Sequence, residues 1–334
     1  MSRRRLWFFR LFAAAVVAGS LVFDRSPLLV IPLLFILVVP FEKLFPRHDQ
    51  KIRREHLGLD LTYALGQPAI GVVSLVVGGF AAVVSLLWLP GLLFRPIVTA
   101  LAPLAQILVG FFIFDLIIYW VHRWSHEVPF LWRFHSIHHS IETMDWVSAF
   151  RNHPVDGLII APAVAFMIAA GFSLEATAVL TVIQIVTGIF LHANVRWRWR
   201  PLHRIIITPD FHHWHHANEP DAINSNYSVF LPAWDMIFGT WFMPKDRRPQ
   251  VYGVDEPVPP TMAAQMTYPF RGLQNPLWMF RHPIRGARYV LGQIRSGLGQ
   301  LQISARRPRR SFHTSLSFPI EANHDGSLDS VTTG

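Results

Sequence analysis

Residues 111–139 read FFIFDLIIYWVHRWSHEVPFLWRFHSIHH, an apolar run that passes without a break into histidine-rich text. The apolar stretch from Pro96 to Trp120 exceeds the ~20 residues that a helix needs to cross a bilayer. Nothing between Trp120 and His126 breaks a helix, so the span should continue out of the membrane through His126 and stop before Pro129. Working outward, the same kind of text recurs. His122 and His126 sit in HRWSH, His135, His138 and His139 in HSIHH, and His212, His215 and His216 in HHWHH. Twelve of the 17 histidines fall between His122 and His216. Unpaired polar rings beside membrane spans are costly, so this crowding needs a holder, and a metal is the chemical one.

The chain of 334 residues is 51% hydrophobic and 15% charged, with its charges in blocks between apolar runs. That pattern predicts an all-α, polytopic membrane helix bundle with a histidine-rich metal-binding cap. Candidate spans are Leu6 to Phe23, Leu28 to Val39, Leu61 to Leu89, Pro96 to Trp120, Gly157 to Phe172 and Leu174 to Leu191, with turns at Pro90 to Arg95 and at Ser173. The second and fifth are short and read as tilted or re-entrant pieces. With the N-terminus inside, the basic loop Lys43 to Arg54, the loop after Trp120 and the chain after Leu191 share the positive side, which makes the cap cytoplasmic. The net charge of +9 belongs to residues that flank spans, so anionic lipid headgroups are expected partners and nucleic acid is not. The absence of cysteine excludes disulfides, iron–sulfur clusters and thiolate ligands, leaving nitrogen and oxygen donors.

On a helix, imidazoles at i and i+4 or i+3 share a face about 5–6 Å apart and can grip one ion. His122/His126 and His135/His138/His139 meet that test. Adjacent His138 and His139 diverge by one helical step and, with His135, can serve two neighbouring ions. Eight clustered rings exceed what one ion takes, so a dinuclear centre is the economical reading. Imidazole suits iron, zinc and copper alike, and the membrane-facing location points to oxygen chemistry on a lipid chain. Asp115, two helical turns before His122, is an intramembrane carboxylate placed to orient a ligand imidazole. Trp120, Trp124, Trp132 and Trp214 read as an aromatic belt, and His213 as a ring beside the ligands or facing solvent. His48, His56, His203, His282, His313 and His324 read as solvated or interfacial.

Five motifs together resemble the fatty acid hydroxylase superfamily, the membrane group that includes sterol desaturases and alkylglycerol monooxygenase. They are D-x-x-x-Y-x-x-H-R-x-x-H (Asp115, Tyr119, His122, Arg123, His126), H-x-x-H-H-S (His135 to Ser140), R-x-H-P (Arg151, His153, Pro154), H-x-N (His192, Asn194) and T-P-x-x-H-x-x-H-H (Thr208 to His216). NYSVFLPAWDMIFGTW adds a sixth match, and the likeness covers about Phe111 to Trp241. Ser228 stands where the family usually has glycine, and Asp156 where it commonly has glutamate.

The resemblance implies a cytosolic di-iron centre, with zinc a substitute in preparations, and dioxygen as oxidant of a lipid C–H bond. The implied metal ligands are His122, His126, His135, His138, His139, His192, His212, His215 and His216, with His153 added. Glu127 resembles the H-E step of the alkylglycerol monooxygenase branch and becomes a further ligand or a proton-handling group. No H-P-G-G segment like that of a fused cytochrome b5 is present, so electrons come from a separate cytochrome b5-, ferredoxin- or reductase-like donor. The expected division is 1–60 for an N-terminal membrane hairpin and basic loop, and 61–245 for the catalytic membrane domain. A Pro-rich segment and basic interfacial helix follow over 246–302, then a disordered tail over 303–334. Competing readings of the residues are a metal transporter or sensor, whose mark is ionisable residues along a mid-membrane path, and a lipid-binding scaffold with a structural zinc site.

Overall fold

The computed structural model describes residues 3–84, 88–198, 200–271 and scattered positions over 281–299. The interfacial helix expected near its end lies largely outside the described residues, and the tail over 303–334 entirely so. Among the described residues the chain is helical without a β-strand, apart from two isolated bridges, Pro46 with Val195 and Ala217 with Tyr252. The helices are α1 (Arg3–Phe23), α2 (Pro27–Leu44), α3 (Leu57–Leu65), α4 (Gln67–Val84), α5 (Trp88–Thr99) and α6 (Pro103–Glu127). Then come α7 (Pro129–His139), α8 (Ala161–Ala169), α9 (Leu174–Leu191), α10 (Pro209–His215), α11 (Ala233–Ile237) and α12 (Met262–Thr267).

Four helices are long and apolar enough to cross a membrane: α1 from Leu6, α2, α6 and α9. A fifth span results if α3 and α4 count as one element bent by 64°. The second candidate is therefore longer than its apolar core suggests, because the helix carries Pro32 and Pro40 inside it and runs on to Leu44. The third is not one straight helix. Gly66 caps α3, with its N–H on the Thr62 carbonyl, and Pro68 opens the next element. The turn expected at Pro90 to Arg95 is instead the body of α5, and the chain reverses at Ala100–Ala102 before Pro103 starts α6 at the position where proline costs least. From there α6 runs to Glu127 and ends before Pro129, and α9 has the bounds that the apolar run sets.

Between apolar helices in lipid, association rests on close packing more than on water exclusion, and small residues permit it. Gly78 of α4 and Gly91 of α5 both face α8: a Cβ on either would lie 2.9 Å from Ala161 Cβ or Ala169 Cβ. A buried cluster including Phe114, Ile118, Phe166, Met167, Leu180, Leu191, Phe211 and Trp214 then ties α6, α8 and α9 to α10. Trp214 is fully buried there and belongs to the core instead of to an interfacial belt. The connection of α10 to the spans is what carries the HHWHH text to the ends of α6 and α9.

Candidate metal centre

Nine imidazoles meet in two groups. His122, His126, His135, His139 and His215 form the first, and His138, His192, His212 and His216 the second; within each, one ligand atom per residue lies within 4.8 Å of every other. Helical spacing explains the partition. The pairs His122/His126 on α6 and His135/His139 on α7 are i,i+4 neighbours and enter the first group, while His212/His216 make the same pair in the second. His192 caps α9 and faces His138. The groups abut: the rings of His139 and His216 stack at 4.3 Å, and His138 and His139 are consecutive residues.

Backbone carbonyls set which nitrogen is bare in four of the rings. His122 Nδ1 lies 2.7 Å from the Tyr227 carbonyl and His215 Nδ1 3.0 Å from that of Ser225. In the second group His138 Nδ1 is 3.2 Å from the Arg151 carbonyl and His192 Nδ1 2.7 Å from that of Gly188. A carbonyl only accepts, so each of these rings donates through Nδ1 and presents an Nε2 lone pair to the group. The Nε2 atoms of His138 and His192 then face each other at 3.2 Å with no hydrogen between them. Two lone pairs at that distance repel unless a cation sits between.

A proton is a poor candidate for that cation. Burial first, and then neighbouring imidazoles, push His138, His139, His212 and His216 well below the usual range. Burial also lowers His192 to about 4 and His215 to about 3. In the first group the Nε2 atoms of His126, His139 and His215 are buried without a hydrogen-bond partner. Each buried orphan costs about 1–3 kcal/mol, so the arrangement suits ions that accept nitrogen donors and suits little else. Each group offers enough rings for one divalent metal, and the donor set is all nitrogen, as iron or zinc accepts.

The carbonyls are held in turn by side chains far away in sequence. Asn224 and Asn226 adopt left-handed backbone, φ 59° and 62°, which asparagine tolerates better than most residues. This turn directs the Ser225 and Tyr227 carbonyls toward His215 and His122. Asp235 locks it by accepting from Tyr227 N (2.8 Å), Ser228 N (2.9 Å) and Thr240 Oγ1 (2.6 Å). On the other side Arg151, whose carbonyl takes His138, is paired with buried Asp60 at 2.6 Å; Asp60 also takes Arg54, which clasps Asp145. Glu42 Oε1 accepts from Trp146 N and Asn194 N, fixing the turn that follows His192.

Asp115 touches no imidazole. Its carboxylate accepts from Phe230 N, Leu231 N and Trp234 Nε1, so it acts on the ligands only by anchoring the loop that Asp235 also holds. Glu127 lies in neither group; Arg123 Nε donates to its Oε1 at 3.0 Å and the Tyr227 hydroxyl at 3.4 Å, while Oε2 is buried and unpartnered. His153 is also outside both groups, its Nδ1 accepting from Val155 N and its Nε2 bonded to the Met266 carbonyl. The neighbouring Asp156 places Oδ1 3.4 Å from His135 Nδ1. His213 is buried between the Tyr252 hydroxyl and the Ala193 carbonyl. His203, expected to be solvated, is buried with Nε2 3.7 Å from Asp210.

Residues 107–240 match the family model described as fatty acid hydroxylase. This matched segment is similar to a fatty acid hydroxylase domain. Both histidine groups lie inside the matched residues. The chain resembles the ornithine lipid hydroxylase OlsE of Rhizobium tropici, with 32% identity over 166 residues, 49% of this chain and 50% of that protein. Alkylglycerol monooxygenase of Homo sapiens is 30% identical over 144 residues, 42% of this chain and 31% of that one. Sphingolipid C4-hydroxylase sur2 of Schizosaccharomyces pombe is 30% identical over 155 residues, 45% of this chain and 52% of that one. The chain thus spans about a third to a half of the length of these relatives. No solved structure matches.

Proposed function

We propose that this chain is a multi-pass integral membrane oxidoreductase that holds one iron in each histidine group and uses dioxygen to hydroxylate a lipid, with desaturation the second reading. The observation that carries the reading is the set of buried, bare Nε2 atoms converging at the ends of helices long and apolar enough to cross a membrane. The relatives, named as hydroxylases and a monooxygenase of ornithine lipid, alkylglycerol and sphingolipid, support a lipid with a fatty acyl or alkyl-ether body as substrate, and a sterol body is the alternative that the sequence resemblance adds.

Two bound irons supply oxidation of an unactivated C–H bond by dioxygen, chemistry that no side chain performs. What the chain contributes is holding and exclusion. The carbonyls of Tyr227, Ser225, Arg151 and Gly188 keep four rings in the ligating tautomer. Aromatic packing of Trp132 on His126 and His139, at 5.1 and 5.5 Å, keeps water from the first group. Glu127, one residue beyond His126 and with one oxygen free, is the group placed to handle a proton there. Asp115 and Asp235 position the loop that holds His122. The catalytic unit is 61–245, the cap faces the cytoplasm by the basic-loop asymmetry, and a separate electron-transfer protein docks to it. Zinc accepts the same nitrogen donors, so finding it in a preparation would not alter this assignment.

The reading is tested by lipid mass spectrometry of cells with and without the gene, and with a His192→Ala copy. A lipid species heavier by one oxygen atom should appear only with the wild-type gene. Dioxygen-dependent conversion of a soluble small molecule by the purified protein, with every lipid unchanged, would overturn it.

A further inference from the structure

Where α2 and α9 end, the chain builds a cluster of arginines with too few anions to balance it. The two helices stop at Leu44 and Leu191 and are tied together just beyond, Arg196 N donating to the Phe45 carbonyl and Arg47 N to that of Asn194. Trp197 packs on Phe45 and Phe41 at 5.5 and 6.0 Å, as an indole does at the headgroup level of a bilayer. Four guanidinium groups, those of Arg47, Arg196, Arg198 and Arg248, share this corner with the carboxylate of Asp210. Arg47 Nη2 meets Asp210 Oδ1 at 2.5 Å, and Arg198 Nε approaches Oδ2 at 3.6 Å. Burial and the nearby Arg47, Arg198 and Arg196 lower Arg248 below its usual range, the mark of crowded like charge.

Several nitrogens of this cluster are stripped of water and receive no hydrogen bond in return. The Arg47 side chain is 0% exposed, yet its Nε and Nη1 have no hydrogen-bond partner; Arg198 Nε and His203 Nε2 beside the same carboxylate have none either. Desolvating a guanidinium without a partner is among the most expensive acts in folding, so a chain that keeps it there gains from an anion that completes the set. Arg198 and Arg248 are partly exposed and open the corner to the outside. Guanidinium forks match the paired oxygens of phosphate and carboxylate.

We propose that Arg47, Arg198 and Arg248 form a binding site for the oxyanion of a lipid headgroup, which anchors an anionic lipid beside the second histidine group. Asp210 lies two residues before His212, so the anchor and the metal ligands ride on the same short helix. The occupant's role as substrate rests on the lipid-oxidising reading; the anion site itself does not. Its position past the ends of two spans favours a headgroup over free phosphate as the source.

The test uses the full chain in detergent, with binding read directly and no turnover involved, so a failed oxidation assay and a failed anchor are separate results. The probes are short-chain phosphatidylglycerol, the diacylglycerol of equal chain length, and inorganic phosphate. Phosphatidylglycerol should bind saturably and at least tenfold more tightly than diacylglycerol, phosphate should displace it, and Arg198→Gln/Arg248→Gln should weaken it tenfold or more. Arg248→Gln alone removes one hydrogen bond to the Arg196 carbonyl, keeps the Arg47–Asp210 pair and should still show a clear loss if the double variant folds poorly. Equal binding of both lipids, or unchanged affinity in a folded variant, overturns the site. Saturable phosphate binding without phosphatidylglycerol binding overturns the headgroup source.

Discussion

Asp235 offers a way to disturb the metal centre without touching a ligand. It is fully buried and takes three hydrogen bonds, from Tyr227 N, Ser228 N and Thr240 Oγ1, at 2.8, 2.9 and 2.6 Å. In Asp235→Asn one acceptor oxygen becomes an NH2 that faces an N–H donor. One charge-assisted bond, about 1.5–3 kcal/mol, is lost and one buried N–H is orphaned at a further ~1–3 kcal/mol. Some relaxation of the loop offsets this, so a net cost of about 2–4 kcal/mol is expected, visible as a lower melting temperature in detergent. The peptide that loses its anchor is the one whose carbonyl holds His122 Nδ1, so the ring is freed to turn and metal affinity in the first group should fall about 10–100-fold. Chelator titration followed by metal analysis reads that affinity. A variant that is destabilised as stated yet resists chelator like the wild type would refute the link from Asp235 through Tyr227 to His122.

Three further outcomes are expected. His192→Ala should leave purified protein with one metal per chain, because His192 belongs to the second group alone; two retained ions would contradict the partition. In metal-free protein, burial holds His192 at about 4 and His215 at about 3 against an ordinary 6.5, so below 6.5 the unfolded chain takes protons that the folded one refuses. Stability should therefore fall as pH drops from 6.5 toward 4, read as thermal melts in chelator at several pH values; a flat profile would be inconsistent with neutral buried rings. Glu127→Gln should keep both metals and lose turnover by about 10²-fold or more, the usual worth of a positioned proton carrier, and wild-type rates would return Glu127 to a structural role.

The parts legible in the sequence are those written in local spacing. The i,i+4 histidine pairs, the stop of α6 before Pro129 and the bounds of α9 all follow from residues within a few turns of one another. The run 61–89 was not legible in the same way, since apolarity carries no direction and cannot show that α3 and α4 meet at 64° around Gly66. Nor does anything near Asp60 announce that Arg54 and Arg151 will neutralise it. The supports of the rings were hidden for a different reason: Tyr227, Ser225 and Arg151 act through backbone carbonyls, which every residue has. Asp115 looked like a partner of His122 because it shares a helix face two turns away, whereas its hydrogen bonds go to a loop more than a hundred residues downstream.

His138 and His139 are joined by one peptide link, and each serves a different group. A single peptide link, with Cα atoms ~3.8 Å apart, therefore ties the two groups together, and their rings at this link lie 5.6 Å apart. Any shift of α7 therefore displaces rings of both groups together, while those on α6, α9 and α10 stay behind.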